Sequence, residues 1–192
     1  MIIVLILIAV IGFYVWSTYN RFVTLRVRIR ASIQEIGNQL KRQADLIPNL
    51  VDSVKGYLKH EKEIFKQLTD ARKTILDATD KGDPQAMVDA SAKAQKIFGE
   101  FRALAESTPQ LRGVESVNKL MDELRDTADK VMYARRTLID LTADYNTMRE
   151  TFPSNIIAQV FKFEPAKGLQ TPAEGEFLSV SPEETKTPKA NL

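Results

Sequence analysis

The chain has 192 residues, with 27 Lys and Arg against 25 Asp and Glu, a formal net charge of +2 and no cysteine. So balanced a charge gives no electrostatic support to nucleic-acid binding. Without a thiol there is no disulfide, no thiol chemistry and no cysteine for lipid attachment.

The opening stretch, Ile2 to Trp16, carries no charge and no breaker except Gly12. As a helix it rises about 23 Å. It approaches a hydrocarbon core of about 30 Å when Met1 and Ser17-Thr18-Tyr19 are added, with Trp16 and Tyr19 at headgroup level. The side chains expected in the bilayer are Ile2, Ile3, Leu5, Ile8, Ile11, Phe13, Trp16 and Tyr19. A cleaved signal peptide would need a basic leading region and small residues at its end. Here the run ends in Phe13-Tyr14-Val15-Trp16, so a retained single-span anchor over residues 1–20 is expected. A core helix is the third reading, but a helix apolar on all sides at an uncapped chain start fits a core poorly.

Orientation follows from charge. Arg21, Arg26, Arg28 and Arg30 follow the apolar run, and no acid precedes Glu35. Arginine is retained on the cytoplasmic side. The expectation is a short amino terminus outside and the body of the chain at the cytoplasmic face of the inner membrane. The same four arginines are candidates for contact with anionic headgroups, each worth about 1 kcal/mol near the surface. Charge is uneven beyond them: residues 21–60 hold eight Lys and Arg against three acids, and residues 164–192 hold five Glu against three Lys.

Past the anchor, Phe22, Leu25, Ile29, Ile33, Ile36 and Leu40 are spaced 3, 4, 4, 3 and 4. That is a heptad-like stripe, and it predicts one helix from about residue 2 to residue 43. Pro48 then removes a helix donor and disfavours helical geometry at Ile47. Asp45 is the expected cap of a second helix, with Pro48 in its first turn. Its stripe runs through Leu50/Val51, Val54, Tyr57/Leu58, Ile64/Phe65, Leu68, Ala71 and Ile75/Leu76 to the turn signal Asp80-Lys81-Gly82-Asp83-Pro84. Asp83 is the expected cap of a third helix, which ends at Ser107-Thr108-Pro109. A fourth runs from near Val114 to before Pro153. Ile156, Ile157, Val160 and Phe161 predict a short amphipathic helix closing one end.

From Glu164 onward, prolines among Lys, Glu, Thr and Ser predict a disordered tail. Phe177-Leu178-Ser179-Val180 is its apolar island. The fold expected is all-α: a single transmembrane helix continuing into an elongated antiparallel four-helix bundle over 21–163, with a flexible tail over 164–192. The second and fourth helices would be about 50 to 55 Å long.

Several segments together form a recognisable pattern. Tyr19-Asn20-Arg21-Phe22-Val23 follows the anchor. Asp45-Leu46-Ile47-Pro48-Asn49-Leu50-Val51 precedes Val54-Lys55-Gly56-Tyr57 and His60-Glu61. Ala134-Arg135, Tyr145-Asn146 and Thr151-Phe152-Pro153-Ser154-Asn155 come late. Over about residues 12 to 163 the chain resembles the LemA family. That resemblance implies an amino-terminal single-span anchor and a cytoplasmic, mostly helical body, and it implies no established enzymatic activity.

The residue types offer little chemistry. His60 is the lone histidine, and His60-Glu61-Lys62-Glu63-Ile64 lacks the second histidine of a zinc-protease helix. A di-iron bundle needs Glu-x-x-His from two helices. No glycine-rich phosphate loop is present. The chain is therefore expected to be non-enzymatic, without metal or cofactor, and His60 to be an exposed histidine on a charged face. Asp45, Pro48, Asn49, Tyr57, His60 and Glu61 read first as a capped helix junction and second as a contact surface or hinge. Asn146 in mid-helix suggests a buried side-chain hydrogen bond to a neighbouring helix, or partner recognition. Paired apolar residues such as Leu50/Val51, Ile64/Phe65, Ile97/Phe98 and Leu120/Met121 make wide stripes, able to feed both an internal core and a second copy. The function expected is a self-associating membrane scaffold, with a tethered module that docks another protein or peptide as the alternative.

Overall fold

The computed structural model describes residues 1–58 and 61–170, and among the described residues every regular element is a helix. Helix α1 spans Ile2–Val54, 53 residues in one run. Its stripe is buried as the periodicity predicts: Phe22, Leu25, Ile36 and Leu40 face inward, with Ile29 and Ile33 partly covered.

The break expected at Asp45 and Pro48 does not occur. Pro48 lies inside α1, and neither Asp45 nor Asn49 starts a new helix. A proline inside a helix costs about 3 kcal/mol. Beyond it, Leu50 and Val54 continue the buried stripe after Ile47. Each such burial is worth about 1.5 to 3 kcal/mol, so continuing the helix wins. The missing donor is also replaced. Pro48 has no N–H for the carbonyl of Ala44, four residues back. Arg72 Nε donates to that carbonyl instead, at 3.1 Å.

The chain reverses after Val54, where the amides of Tyr57 and Leu58 both return to the Val54 carbonyl. Helix α2, Lys62–Lys81, is accordingly 20 residues and about 30 Å long, well short of the 50 to 55 Å expected. It ends at Gly82, whose φ of 66° is the left-handed conformation that glycine adopts without a Cβ clash. Asp83 then caps α3, Pro84–Ser107, as predicted: its carboxylate accepts from the Gln85 amide at 3.2 Å, and Pro84 holds the first position. A single extra turn, α4 (Pro109–Arg112), occupies the expected loop. Helix α5, Glu115–Glu150, has 36 residues and is about 54 Å long. Helix α6, Ser154–Val160, is the short closing helix.

Two cores result. The larger is a four-helix section, built from Ile36 to Val54 of α1, α2, α3 and the first part of α5, with Leu68, Ile75, Phe101, Leu124 and Leu138 at its centre. The smaller lies nearer the amino terminus and joins Phe22 and Leu25 of α1 to Leu141 and Tyr145 of α5, Ala158 of α6 and Phe163. There α1 and α5 form a two-helix stem.

The expectation of disorder from Glu164 is also corrected for its first residues. Residues 163–170 lie along the stem, held by side chains of α5. Tyr145 Oη donates to the Glu164 carbonyl at 2.9 Å, and Arg149 Nε donates to the Phe163 carbonyl at 3.0 Å. Asn146 binds Ala166 twice, Nδ2 to its carbonyl at 2.9 Å and Oδ1 from its amide at 3.0 Å. Further on, the Gln170 amide reaches Gln85 Oε1 at 2.9 Å. Residues 171–192, including the island Phe177 to Val180, lie outside the described residues.

Candidate membrane-facing base

Helix α1 is long and apolar enough to cross a membrane, and that apolar part is almost wholly uncovered by the rest of the chain. Ile2, Ile3, Leu5, Ile8, Ile11, Phe13 and Trp16 are all exposed, and the first buried residue of α1 is Thr18. A core helix would hide these side chains, so the structure disfavours that reading. The Tyr19 ring meets Phe161 at 4.9 Å and Phe163 at 5.5 Å.

The four arginines separate by height. At 1.5 Å per residue, Arg21 sits about 8 Å beyond Trp16 along α1, Arg26 about 15 Å, and Arg28 and Arg30 about 18 and 21 Å. The four therefore stand at different heights above Trp16, with Arg21 nearest to it. Arg26 has a different partner, since its guanidinium lies over the Phe163 ring, 5.8 Å from the centroid.

The aromatic cluster continues inward. Phe22 stacks on Phe163 at 4.7 Å and meets Tyr145 edge-on at 5.6 Å. Burial pushes the Tyr145 hydroxyl above its ordinary value, against the opposing pull of Arg26 and Arg149. Below this cluster, the end of α5 and the start of α6 stand beside the lower part of α1. A groove of about 430 Å³ there is lined by Tyr14, Ser17, Thr18 and Arg21 on one side and by Asp144, Thr147, Met148, Thr151 and Ser154 on the other. Ser154 Oγ lies 2.6 Å from the Met148 carbonyl and fastens the turn between the two helices.

The junction residues are not assembled into a site. Asp45, Pro48 and Asn49 lie on one exposed face of α1, Tyr57 is exposed in the reversal, and Glu61 precedes α2 without capping it. His60 lies outside the described residues. Among the described residues no group of three or more His, Asp or Glu is placed to hold a metal.

Two features escaped the sequence reading. One is the clamp of Tyr145, Asn146 and Arg149 on the irregular segment after α6, where the Tyr-Asn pair was the visible signal. The other is an open groove of about 280 Å³ between α3 and α5, with Phe98, Met121, Leu124, Ala128 and Met132 among its lining and Arg102, Arg125 and Asp129 at its rim. Nothing in the helical periodicity distinguishes such a groove from closed packing.

The LemA family pattern matches residues 32–181, more than three-quarters of the chain. The chain belongs to the LemA family. Among curated proteins it is similar to the magnetosome proteins MamQ 1 and MamQ 2 of Paramagnetospirillum magneticum (strain ATCC 700264 / AMB-1). Each is 21% identical over 188 residues, covering 86% of this chain and 69% of the relative.

Proposed function

We propose that this LemA family protein is a non-enzymatic, self-associating scaffold, held at the cytoplasmic face of the inner membrane by α1. The observation that carries this reading is the bare apolar segment of α1, which leaves the bundle at Thr18 and continues as an uncovered helix. Arginines on one flank alone support an amino terminus outside and a cytoplasmic body. No magnetosome role is carried over from the MamQ relatives.

Anchoring is tested on membrane vesicles and whole cells. The intact chain should stay in the pellet through alkaline carbonate, and protease outside whole cells should leave its bulk uncut. Release by carbonate or digestion from outside would refute it. Self-association is tested by light scattering in detergent, where a strict monomer at micromolar concentration would count against a scaffold.

A second reading, a tethered module that docks a helix or peptide of another protein, is favoured by the α3–α5 groove. Its apolar lining and charged rim suit an amphipathic segment. Cross-linking in membranes separates the two: a main adduct with itself supports the scaffold, and one with a different protein supports docking.

A further inference from the structure

The turn before α6, α6 itself and the residue after it carry four large apolar side chains that face outward: Phe152, Ile156, Val160 and Phe161. Phe152 is 80% exposed and Val160 68%. Four such residues within ten positions are a patch, whereas the outward apolar residues higher on the rod are dispersed over α1, the reversal after it and α5. Contiguous exposed apolar surface marks an interaction site, and scattered residues need no explanation. The opposite face of α6 is already in use, with Ser154, Ile157 and Ala158 buried against the stem.

The position of this patch says what covers it. Helix α5 runs antiparallel to α1, so its carboxyl end descends toward the anchor. Thr151 and Ser154 line the same groove as Tyr14, Ser17 and Thr18. The base of the bundle therefore stands level with Trp16 rather than above it, and Phe152 follows directly on Thr151. The Tyr19 ring touches that of Phe161, which ties the patch laterally to the span. Phe13 and Trp16, themselves 66% and 63% exposed, continue the same apolar surface on α1.

The geometry points to a second membrane contact: Phe152, Ile156, Val160 and Phe161 form a foot that inserts into the interfacial layer of the bilayer beside the span. The occupant is the lipid surface, because the patch is continuous with the lipid-facing side of the anchor and lies at its depth. An apolar face used this way sinks about 5 to 10 Å into the headgroup and acyl boundary. Gln159 and Lys162, both exposed, lie at its polar edge, where the lysine stem can run along apolar surface and leave its charge among phosphates. Glu150 and Glu164 are exposed nearby, so the foot is driven by apolar burial more than by charge.

This inference rests on α1 spanning the membrane, and the experiment keeps the two apart. The full chain is reconstituted in vesicles of three parts phosphatidylcholine to one part phosphatidylglycerol. Native Trp16 reports on the anchor. Phe152→Trp and Val160→Trp, each combined with Trp16→Phe, report on the foot, and Tyr133→Trp in the same background reports on the exposed stem. All the replaced foot and stem side chains are exposed, so folding is not at stake. Emission from Phe152→Trp and Val160→Trp should be blue-shifted and quenched by brominated lipid at least about twofold more than that of Tyr133→Trp, given an interfacial depth. Quenching by aqueous iodide equal to that of Tyr133→Trp overturns the foot. So does a blue shift without lipid quenching, since a second copy or another protein then covers the patch. Lipid quenching of Trp16 in either of those cases leaves the anchor standing, and its absence overturns both.

Discussion

Helix α1 crosses Pro48 because Arg72 supplies the hydrogen bond that proline cannot, and this account fixes the sign of a double-mutant cycle. In the native protein, Arg72→Met keeps most of the apolar stem but removes the donor from the Ala44 carbonyl. Ala44 is fully buried. An acceptor left unsatisfied there costs about 1 to 3 kcal/mol. In Pro48→Ala the residue regains its own N–H, which completes the ordinary bond to the carbonyl four residues back. Arg72→Met then leaves nothing orphaned and should cost about 0.5 kcal/mol or less, the usual scale of a surface change. The coupling is the difference, about 0.5 to 3 kcal/mol, the range found for side chains that share a partner. Pro48→Ala alone should stabilise, by less than the intrinsic gap of about 3 kcal/mol between the two residues, because Arg72 already serves the carbonyl. The assay is urea unfolding of the four proteins in one detergent, followed by circular dichroism of the helices. An equal cost for Arg72→Met in both backgrounds would refute the exchange of donors.

Other outcomes follow from the same structure. Tyr145→Phe should cost about 1 kcal/mol, the net worth of one hydrogen bond, and should speed amide exchange at residues 163–166 while leaving α2 and α3 unchanged. Tyr145 has its pKa raised in the folded state by burial. Its contribution is therefore fully present below the unfolded value of about 10 and is lost as pH rises through the folded value. Alkaline unfolding of the native protein should show this loss, and Tyr145→Phe should not. Gln43 is fully buried, and neither polar atom of its side chain has a partner. Gln43→Leu should accordingly raise the unfolding free energy by about 1 to 2 kcal/mol in the urea assay, as relief of an unpaired polar group predicts. Asp83→Ala removes a cap and should cost about 1 kcal/mol in the same urea assay.

Much of this fold is legible because its signals are local. The stripe from Phe22 to Leu40, the Asp83-Pro84 cap and the left-handed Gly82 each act within one or two helical turns, and the structure realises all three. What the sequence reading lost depends on single bonds between distant residues. The penalty assigned to Pro48 was correct, but its compensation comes from Arg72, separated from Ala44 by 28 positions. The composition of Glu164 to Gln170 resembles a flexible tail, yet two α5 side chains, Tyr145 and Asn146, hold its backbone from 19 and 20 positions away. Neither partner carries a pattern that marks it, since an arginine or an asparagine on a helix face is ordinarily solvated. The candidate base was half visible for the same reason. The amphipathic period of Ile156 to Phe161 announced a closing helix, but the period alone does not say that one apolar face looks inward and the other toward the anchor.

The uninterrupted course of α1 bears on what the anchor can do. The same helix supplies Phe22 and Leu25 to the lower core and Ile36 to Val54 to the upper one. The axis of the apolar segment is therefore also the axis of the stem, and α5 packs along it through Leu138, Leu141 and Tyr145. The segment at residues 163–170 ties that stem to the α2–α3 end through the bond from Gln170 to Gln85. On the proposed anchoring, the direction in which the upper bundle points is thereby set where α1 meets the bilayer. Loosening the stem at Asn146, whose side chain makes two bonds to Ala166, should broaden the distribution of distances between spin labels at the upper bundle and the bilayer surface. Asn146→Ala is the variant to compare. An unchanged distribution would show that α1 and α5 alone set the axis, with the 163–170 segment contributing nothing to it.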